Sequence, residues 1–269
     1  MDKQTTTAAA AGDRPWKLDG RVAIVTGASS GIGRAAAALL AERGARVMAV
    51  ARDEARLATL RERTGVETLA ISIDRPEACA KVVEETRRRL GAVGILVNNA
   101  GRGSDVHQPI WDESRDNWRE MMAVNLDAPF DLTRLAARDM RDLGWGRVIM
   151  VSSTAGEVGA PAMSPYCASK HGLLGLMRAS AHDLAKIGAT CNAVLPGWVR
   201  TEMAERDAER ESKERGVTTD QVWAERAAAY PTGRVLEPED IARAIAFLAS
   251  DDAGAINGEA ITISHGSLW

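Results

Sequence analysis

The chain has 269 residues, 45% of them hydrophobic, and a formal net charge of −3 at pH 7. That length holds one large α/β domain with a sizeable core and is short for two domains plus an interface. Lysine and arginine are scattered rather than clustered, which excludes an electrostatic footprint for nucleic acid or for an anionic membrane, so the expected partner is a small molecule.

Cys79, Cys167 and Cys191 lie far apart without metal-ligand spacing. They argue against a disulfide framework and a zinc site, so no metal is expected, and they suit reduced thiols in a cytoplasmic protein. The N-terminal residues lack the apolar stretch of a signal peptide, and no later run approaches the length that spans a bilayer. A soluble chain is expected, with residues 1–18 as a flexible N-terminal arm and residues 19–269 as one domain.

Residues 21–26 form a β-branched run that stops at Gly27, and an Ala- and Leu-rich helical stretch begins near Ile32. Strand, glycine turn and helix in this order open a nucleotide-binding βαβ unit. Gly27, Gly31 and Gly33 let the backbone approach a pyrophosphate whose charge sits at the helix N-terminus. Their spacing, Gly-x-x-x-Gly-x-Gly, departs from the commonest dinucleotide fingerprint, and a tight strand-to-helix connection would also use such glycines.

A second strand over residues 45–51 ends at Arg52-Asp53. At that tip a carboxylate accepts from a ribose 2′-hydroxyl, whereas a basic group accommodates a 2′-phosphate. Arg52 can pair with a phosphate and no carboxylate stands at position 51, so NADP(H) is expected over NAD(H). A shift in register toward Asp53 would reverse that preference.

A third strand over residues 69–74 places Asp74 at its end, and Pro76 opens an amphipathic helix running to residue 90. A fourth strand over 94–97 ends in Asn98-Asn99-Ala100-Gly101, whose amides either brace neighbouring strands or line the cofactor site. The pattern from 111 to 141 is helical and contains Asn125, a polar amide on an apolar stretch that implies a structural hydrogen bond. A fifth strand over 147–151 terminates in Ser152-Ser153, at the carboxyl end where open α/β sheets bind ligands.

Tyr166 and Lys170 stand four residues apart at the start of a mostly apolar helix, so both face one cavity. A free phenol titrates near about 10 and a free ammonium near about 10.4. The cation is expected to lower the tyrosine pKa, so that the pair moves a proton to or from a carbinol oxygen. Alone, Tyr-x-x-x-Lys is common, and its ordinary reading is a core ring with a solvated amine.

A sixth strand over 190–195 stops at Pro196-Gly197. Residues 202–230 are dense in Glu and Arg, lack the apolar continuity of a core element, and read as one or two exposed helices forming a lid. A helix over 238–250 and a strand over 260–263 complete the chain. The alternation is that of a single Rossmann-like, doubly wound parallel sheet.

With these pieces the chain from about Leu18 onward resembles the short-chain dehydrogenase/reductase (SDR) family. The resemblance rests on Thr26-Gly27-x-x-x-Gly31-x-Gly33, Asn98-Asn99-Ala100-Gly101, Asn125, Ser153, Tyr166-x-x-x-Lys170 and Pro196-Gly197, in the family's order and near its spacing. It implies a catalytic tetrad. Tyr166 would be the general acid or base, Ser153 would hold the substrate oxygen, Lys170 would lower the tyrosine pKa and bind the nicotinamide ribose, and Asn125 would hold a water linking Lys170 to solvent. It also implies cofactor contacts: Ser30 and Ile32 to phosphates or ribose, Asp74 to adenine, Asn98 on the adenosine side, and Pro196, Val199 and Thr201 at the nicotinamide end. Ser29, Ala100, Gly101 and Gly197 complete that expected set.

Within the family, Pro196-Gly-Trp-Val-Arg-Thr-Glu-Met and Pro231-Thr-Gly-Arg234 look like the branch of 3-oxoacyl-carrier-protein and polyketide ketoreductases. Pocket walls are expected from residues 102–107, 154–163 and 198–230, with Met163, Trp198, Trp223 and Tyr230 making the pocket apolar. The expected activity is NADPH-dependent reduction of a hydrophobic ketone or 3-oxoacyl substrate. The alternatives are an NAD-dependent polyol or hydroxysteroid dehydrogenase, and a dinucleotide sensor that kept the fold without the reaction. The resemblance further implies a homotetramer or dimer, with the terminal Ser267-Leu268-Trp269 packing on a neighbouring subunit.

Overall fold

The computed structural model describes residues 15–103 and 107–267. Its centre is a seven-stranded sheet in the order β3-β2-β1-β4-β5-β6-β7, with every neighbouring pair parallel. The strands are β1 (Val22–Thr26), β2 (Arg46–Ala51), β3 (Glu67–Ala70), β4 (Ile95–Asn98), β5 (Gly146–Val151), β6 (Ala189–Pro196) and β7 (Ala260–Ile263). The central strands are buried on both faces, which is why they read as unbroken apolar runs.

Helices cover both faces. One side packs α1 (Gly31–Glu42), α2 (Glu54–Thr64) and α9 (Pro238–Ala249); the other packs α3 (Pro76–Arg89), α5 (Ala128–Leu143) and α6 (Ser164–Ala185). Local signals set the ends. Asp53 caps α2 by accepting from Arg56 N at 3.0 Å, and Gly65 stops it with φ 73°. Between α3 and α5 runs α4 (Arg115–Met122), and α7 (Glu202–Arg215) with α8 (Thr219–Ala228) forms the segment over the sheet's carboxyl edge.

Four expectations need correction. The third strand lies at Glu67–Ala70 rather than 69–74: it is an outer strand, only half-buried, so its residues carry little apolar signal, and Asp74 falls beyond it. The helical block 111–141 is broken: a short turn at Ile110–Asp112 precedes α4, and Ala123–Asp127 winds as a π-helix before α5. The described end of the N-terminal arm is anchored, because Leu18 is in the core and donates to Arg43 O, and Trp16 packs edge-on against Phe247. Residues 1–14, Leu268 and Trp269 lie outside the described residues. Finally, the two helices expected over 202–230 do have a small core, in which Ala204, Ala208, Val222, Trp223, Tyr230 and Val235 pack together.

Candidate active site

The strand order reverses between β1 and β4, so a crevice opens there beyond the strands' carboxyl ends. A cleft of about 1740 Å³ occupies it. Thr26 and Asn99 stitch the two strand ends: Asn99 Nδ2 donates to Thr26 O at 2.8 Å, and Thr26 Oγ1 accepts from Ala100 N at 2.9 Å. Asn99 thus braces the strands and borders the cleft, whereas Asn98 does not reach it. Asn98 is 2% exposed and donates to Thr133 Oγ1 and Met150 Sδ, which corrects its expected place beside the adenosine.

The glycine turn forms one end of the cleft through Gly27, Ser29, Ser30, Gly31, Ile32 and Gly33. Gly27 (φ 67°) and Gly31 (φ 49°) are left-handed, as a side chain would resist. A Cβ on Gly33 would lie 2.3 Å from Gly27 O, so Gly33 serves the packing of helix on turn. Ser30 makes no side-chain cap and the first turn of α1 has no carboxylate. The leading N–H groups and the macrodipole there suit a pyrophosphate.

At the end of β2, Arg52 and Arg56 border the cleft, as does Asp74. Asp53 borders the cleft as well, with its carboxylate capping α2 and standing 3.4 Å from Arg56 Nε. Arg56 is a cation that the reading of strand tips passed over. Its signal was the cap itself, since a residue three past an N-cap lies on the capped turn.

At the other end Ser153, Tyr166, Lys170, Pro196, Gly197, Val199 and Thr201 border the same cleft, as do Ala100 and Gly101. β5 delivers Ser153, and the first turns of α6 deliver Tyr166 and Lys170. The Ser153 side chain is near enough to the Tyr166 hydroxyl to favour its ionised form. Lys170 Nζ donates to Val151 O at 2.9 Å and lies 5.7 Å from the Tyr166 ring centroid, while Ser152 Oγ donates to Lys170 O at 3.2 Å. Both titratable groups therefore sit on one cavity, as the four-residue spacing predicts.

Their electrostatics differ from expectation. Burial pushes the Tyr166 phenol above its ordinary value, only partly offset by the neighbouring Ser153. Burial also pulls the Lys170 ammonium down to about 8. Lys170 turns its charge to the Val151 carbonyl, and burial is the largest influence on the tyrosine.

Asn125 stands behind the cleft, 1% exposed, inside the π-helical turn. Its Oδ1 accepts from Arg102 N at 2.8 Å, and its Nδ2 donates to Arg102 O and Ser169 Oγ, both at 3.0 Å. The amide clamps the backbone after β4, as an isolated polar residue in an apolar stretch implies. It is also near the ammonium: a Cβ on Gly101 would be 3.6 Å from Lys170 Nζ and 3.7 Å from Asn125 Oδ1.

Of the expected apolar walls, Met163 and Trp198 border the cleft, but Trp223 and Tyr230 do not. Trp223 is 4% exposed in the small lid core, and the Tyr230 hydroxyl accepts from Trp198 N at 2.5 Å. His107, Asp207 and Arg210 supply a polar wall that composition did not signal. Among the described residues no His, Cys, Asp and Glu group is arranged to hold a metal, and no helix is long and apolar enough to cross a membrane.

A doubly wound parallel sheet with an anion-ready glycine turn and a Ser-Tyr-Lys group on one crevice defines a nucleotide-binding α/β enzyme. A family model described as Enoyl-(Acyl carrier protein) reductase matches residues 27–267. A 3-oxoacyl-[acyl-carrier-protein] reductase, FabG, of Vibrio cholerae is 36% identical over 251 residues, covering 93% of this chain and 98% of that one. A crystallised variant of actinorhodin polyketide ketoreductase with NADPH is 34% identical, with a TM-score of 0.86 and coverage of 91% and 96%. Levodione reductase gives the same TM-score at 29% identity, covering 93% and 98%. The chain belongs to the short-chain dehydrogenase/reductase family of oxidoreductases.

Proposed function

We propose that the protein reduces ketones with NADPH, or runs the reverse oxidation, using Asn125, Ser153, Tyr166 and Lys170. The observation that carries this reading is the Ser153–Tyr166 hydroxyl pair on the cleft that continues to Arg52 and Arg56. When bound, the reduced nicotinamide supplies a hydride. Ser153 donates to the substrate carbonyl oxygen and fixes its place. Tyr166 gives that oxygen a proton. Lys170 holds the cofactor ribose, and Asn125 pins the backbone of Arg102 beside it.

Arg52 and Arg56 suit a 2′-phosphate, and the Asp53 carboxylate beside them is drawn to the α2 cap and to Arg56. The NADPH in the actinorhodin ketoreductase structure supports the same choice. Three free, buried cysteines support a cytoplasmic setting. Exposed Ile110 and Trp111 support a homo-oligomer, with a tetramer as the expected form.

The test is NADPH oxidation over a panel of ketones, for wild type and Tyr166→Phe. Loss of the proton donor should lower kcat by about a hundredfold or more while cofactor still binds. A sensor would bind cofactor without tyrosine-dependent turnover. An α,β-unsaturated ketone in the panel separates two chemistries: an allylic alcohol supports carbonyl reduction, whereas a saturated ketone would replace it with the enoyl reduction named in the family model's description.

A further inference from the structure

The cleft has a polar wall that carbonyl reduction itself does not use. His107, from the segment after β4, meets Asp207 and Arg210, one turn apart on α7. Arg210 Nη2 lies 2.9 Å from His107 Nδ1, 3.2 Å from His107 Nε2 and 2.5 Å from Asp207 Oδ1; His107 Nε2 lies 3.5 Å from Asp207 Oδ1. The three side chains are 21%, 18% and 22% exposed, and all border the cleft that holds Ser153 and Tyr166.

We propose that His107, Asp207 and Arg210 form a subsite for an uncharged substrate group that both donates and accepts a hydrogen bond, a hydroxyl or an amide distal to the ketone. This rests on the reductase reading above and narrows its substrate class. Substrate bound against this wall displaces the water that serves these groups. An alkyl end would strip that water and return no hydrogen bond, which disfavours it. A carboxylate end would meet Asp207, while the nearby cations are already paired, Arg210 with Glu214 at 2.9 Å and Arg226 with Asp207 at 2.6 Å and Glu211 at 2.7 Å.

A hydroxyl or amide suits the wall on both counts. It can donate to Asp207 and accept from His107 or Arg210. A guanidinium facing the imidazole nitrogens needs a neutral ring, and burial together with Arg210 does hold His107 below its ordinary pKa. The neutral ring's remaining N–H finds the Asp207 oxygen only at 3.5 Å, longer than a good hydrogen bond, so an inserted acceptor would improve its geometry. Met163 and Trp198 add apolar surface to the same cleft, so the substrate joining these ends is amphipathic.

The hydroxyl or amide could belong to a small ketone or to the thiol arm of a thioester, and one experiment separates these. NADPH oxidation is measured with methyl ketones of graded chain length ending in methyl, hydroxyl or carboxylate, and with a 3-oxoacyl N-acetylcysteamine thioester, whose arm carries an amide. The best hydroxyl- or amide-bearing substrate should exceed its methyl-ended counterpart by about tenfold or more in kcat/KM. His107→Leu should bring that ratio near one, and His107→Gln, which keeps a donor and an acceptor, should retain most of it. A leading hydroxyketone assigns the group to a small ketone; a leading thioester assigns it to the arm. Preference for the methyl or carboxylate end, or a ratio that survives His107→Leu, overturns the subsite. Absence of turnover on every carbonyl substrate by the wild type overturns the reductase reading and the subsite with it.

Discussion

Buried and donating to the Val151 carbonyl, the Lys170 ammonium titrates near about 8, so above that pH the cofactor-free protein holds a neutral amine. Ribose hydroxyls and phosphate charge favour the ammonium. Cofactor binding at about pH 8.5 should therefore draw a proton from solution, and binding at about pH 6.5 should not. Calorimetry in two buffers of different ionisation enthalpy reads this directly, and the same uptake in Lys170→Met would overturn it. The stability sign follows from the same depression. An unfolded lysine keeps its proton to about 10.4, so Lys170 adds stability as pH rises from 8 toward that value. At the other end of the cleft, Arg56→Ala and Arg52→Ala should each weaken NADPH about tenfold more than NADH, as measured by fluorescence titration, because each removes a charge-assisted partner of the 2′-phosphate alone. Sequence made Arg52 visible because strand tips read the ribose. Arg56 stayed hidden because its relevance depends on where α2 is capped.

The glycines divide by element. Gly33 has no room, with Gly27 O and Asn99 Nδ2 both 2.3 Å from an added Cβ, and its backbone neighbour cannot yield cheaply. Gly33→Ala should cost about 3 kcal/mol by urea unfolding and weaken cofactor binding, because the turn must open. Gly175 lies exposed on α6 with nothing within 4 Å of an added Cβ, so Gly175→Ala should add about 0.5–1 kcal/mol through helix propensity and a less free unfolded chain. These elements also show what the amino-acid order makes legible. Strands buried on both faces announce themselves as apolar runs, and Pro76 marks the start of α3. The bounds of β3 were misplaced because an outer, half-buried strand needs no apolar signature. The π-helical turn escaped because Asn125 is bonded to Arg102, 23 residues earlier, and periodicity within one helix does not encode that partner. Asn98 shows the converse. Its place in a strand-end motif suggested the cofactor, while its side chain turns inward to Thr133 and Met150.

Across the molecule, two large apolar clusters clamp the sheet, whereas α7 and α8 share a third, smaller one of their own. Few buried side chains tie that lid core together, so it should open locally at lower free energy than the sheet unfolds. Arg226 is its keystone: 7% exposed, its guanidinium stacks 3.6 Å from the Trp198 ring centroid and pairs with Asp207 at 2.6 Å and Glu211 at 2.7 Å. Arg226→Met keeps much of the volume but leaves two half-buried carboxylates without that cation and removes the stacking. Hydrogen exchange in the variant should then speed up by about 10–100-fold at α7 and α8 amides, while β1, β4, β5 and β6 amides keep their protection. Wild-type NADPH complex should slow exchange in α7, because Thr201, the N-cap of α7, stands at the cleft beside the glycine turn, where its Cγ2 would lie 2.9 Å from a Cβ added at Gly31. Equal loss of protection in the lid and the central strands of Arg226→Met would mean that lid and sheet unfold as one unit, and substrate access would then have to come from motion of the loops after β4 and β5 instead.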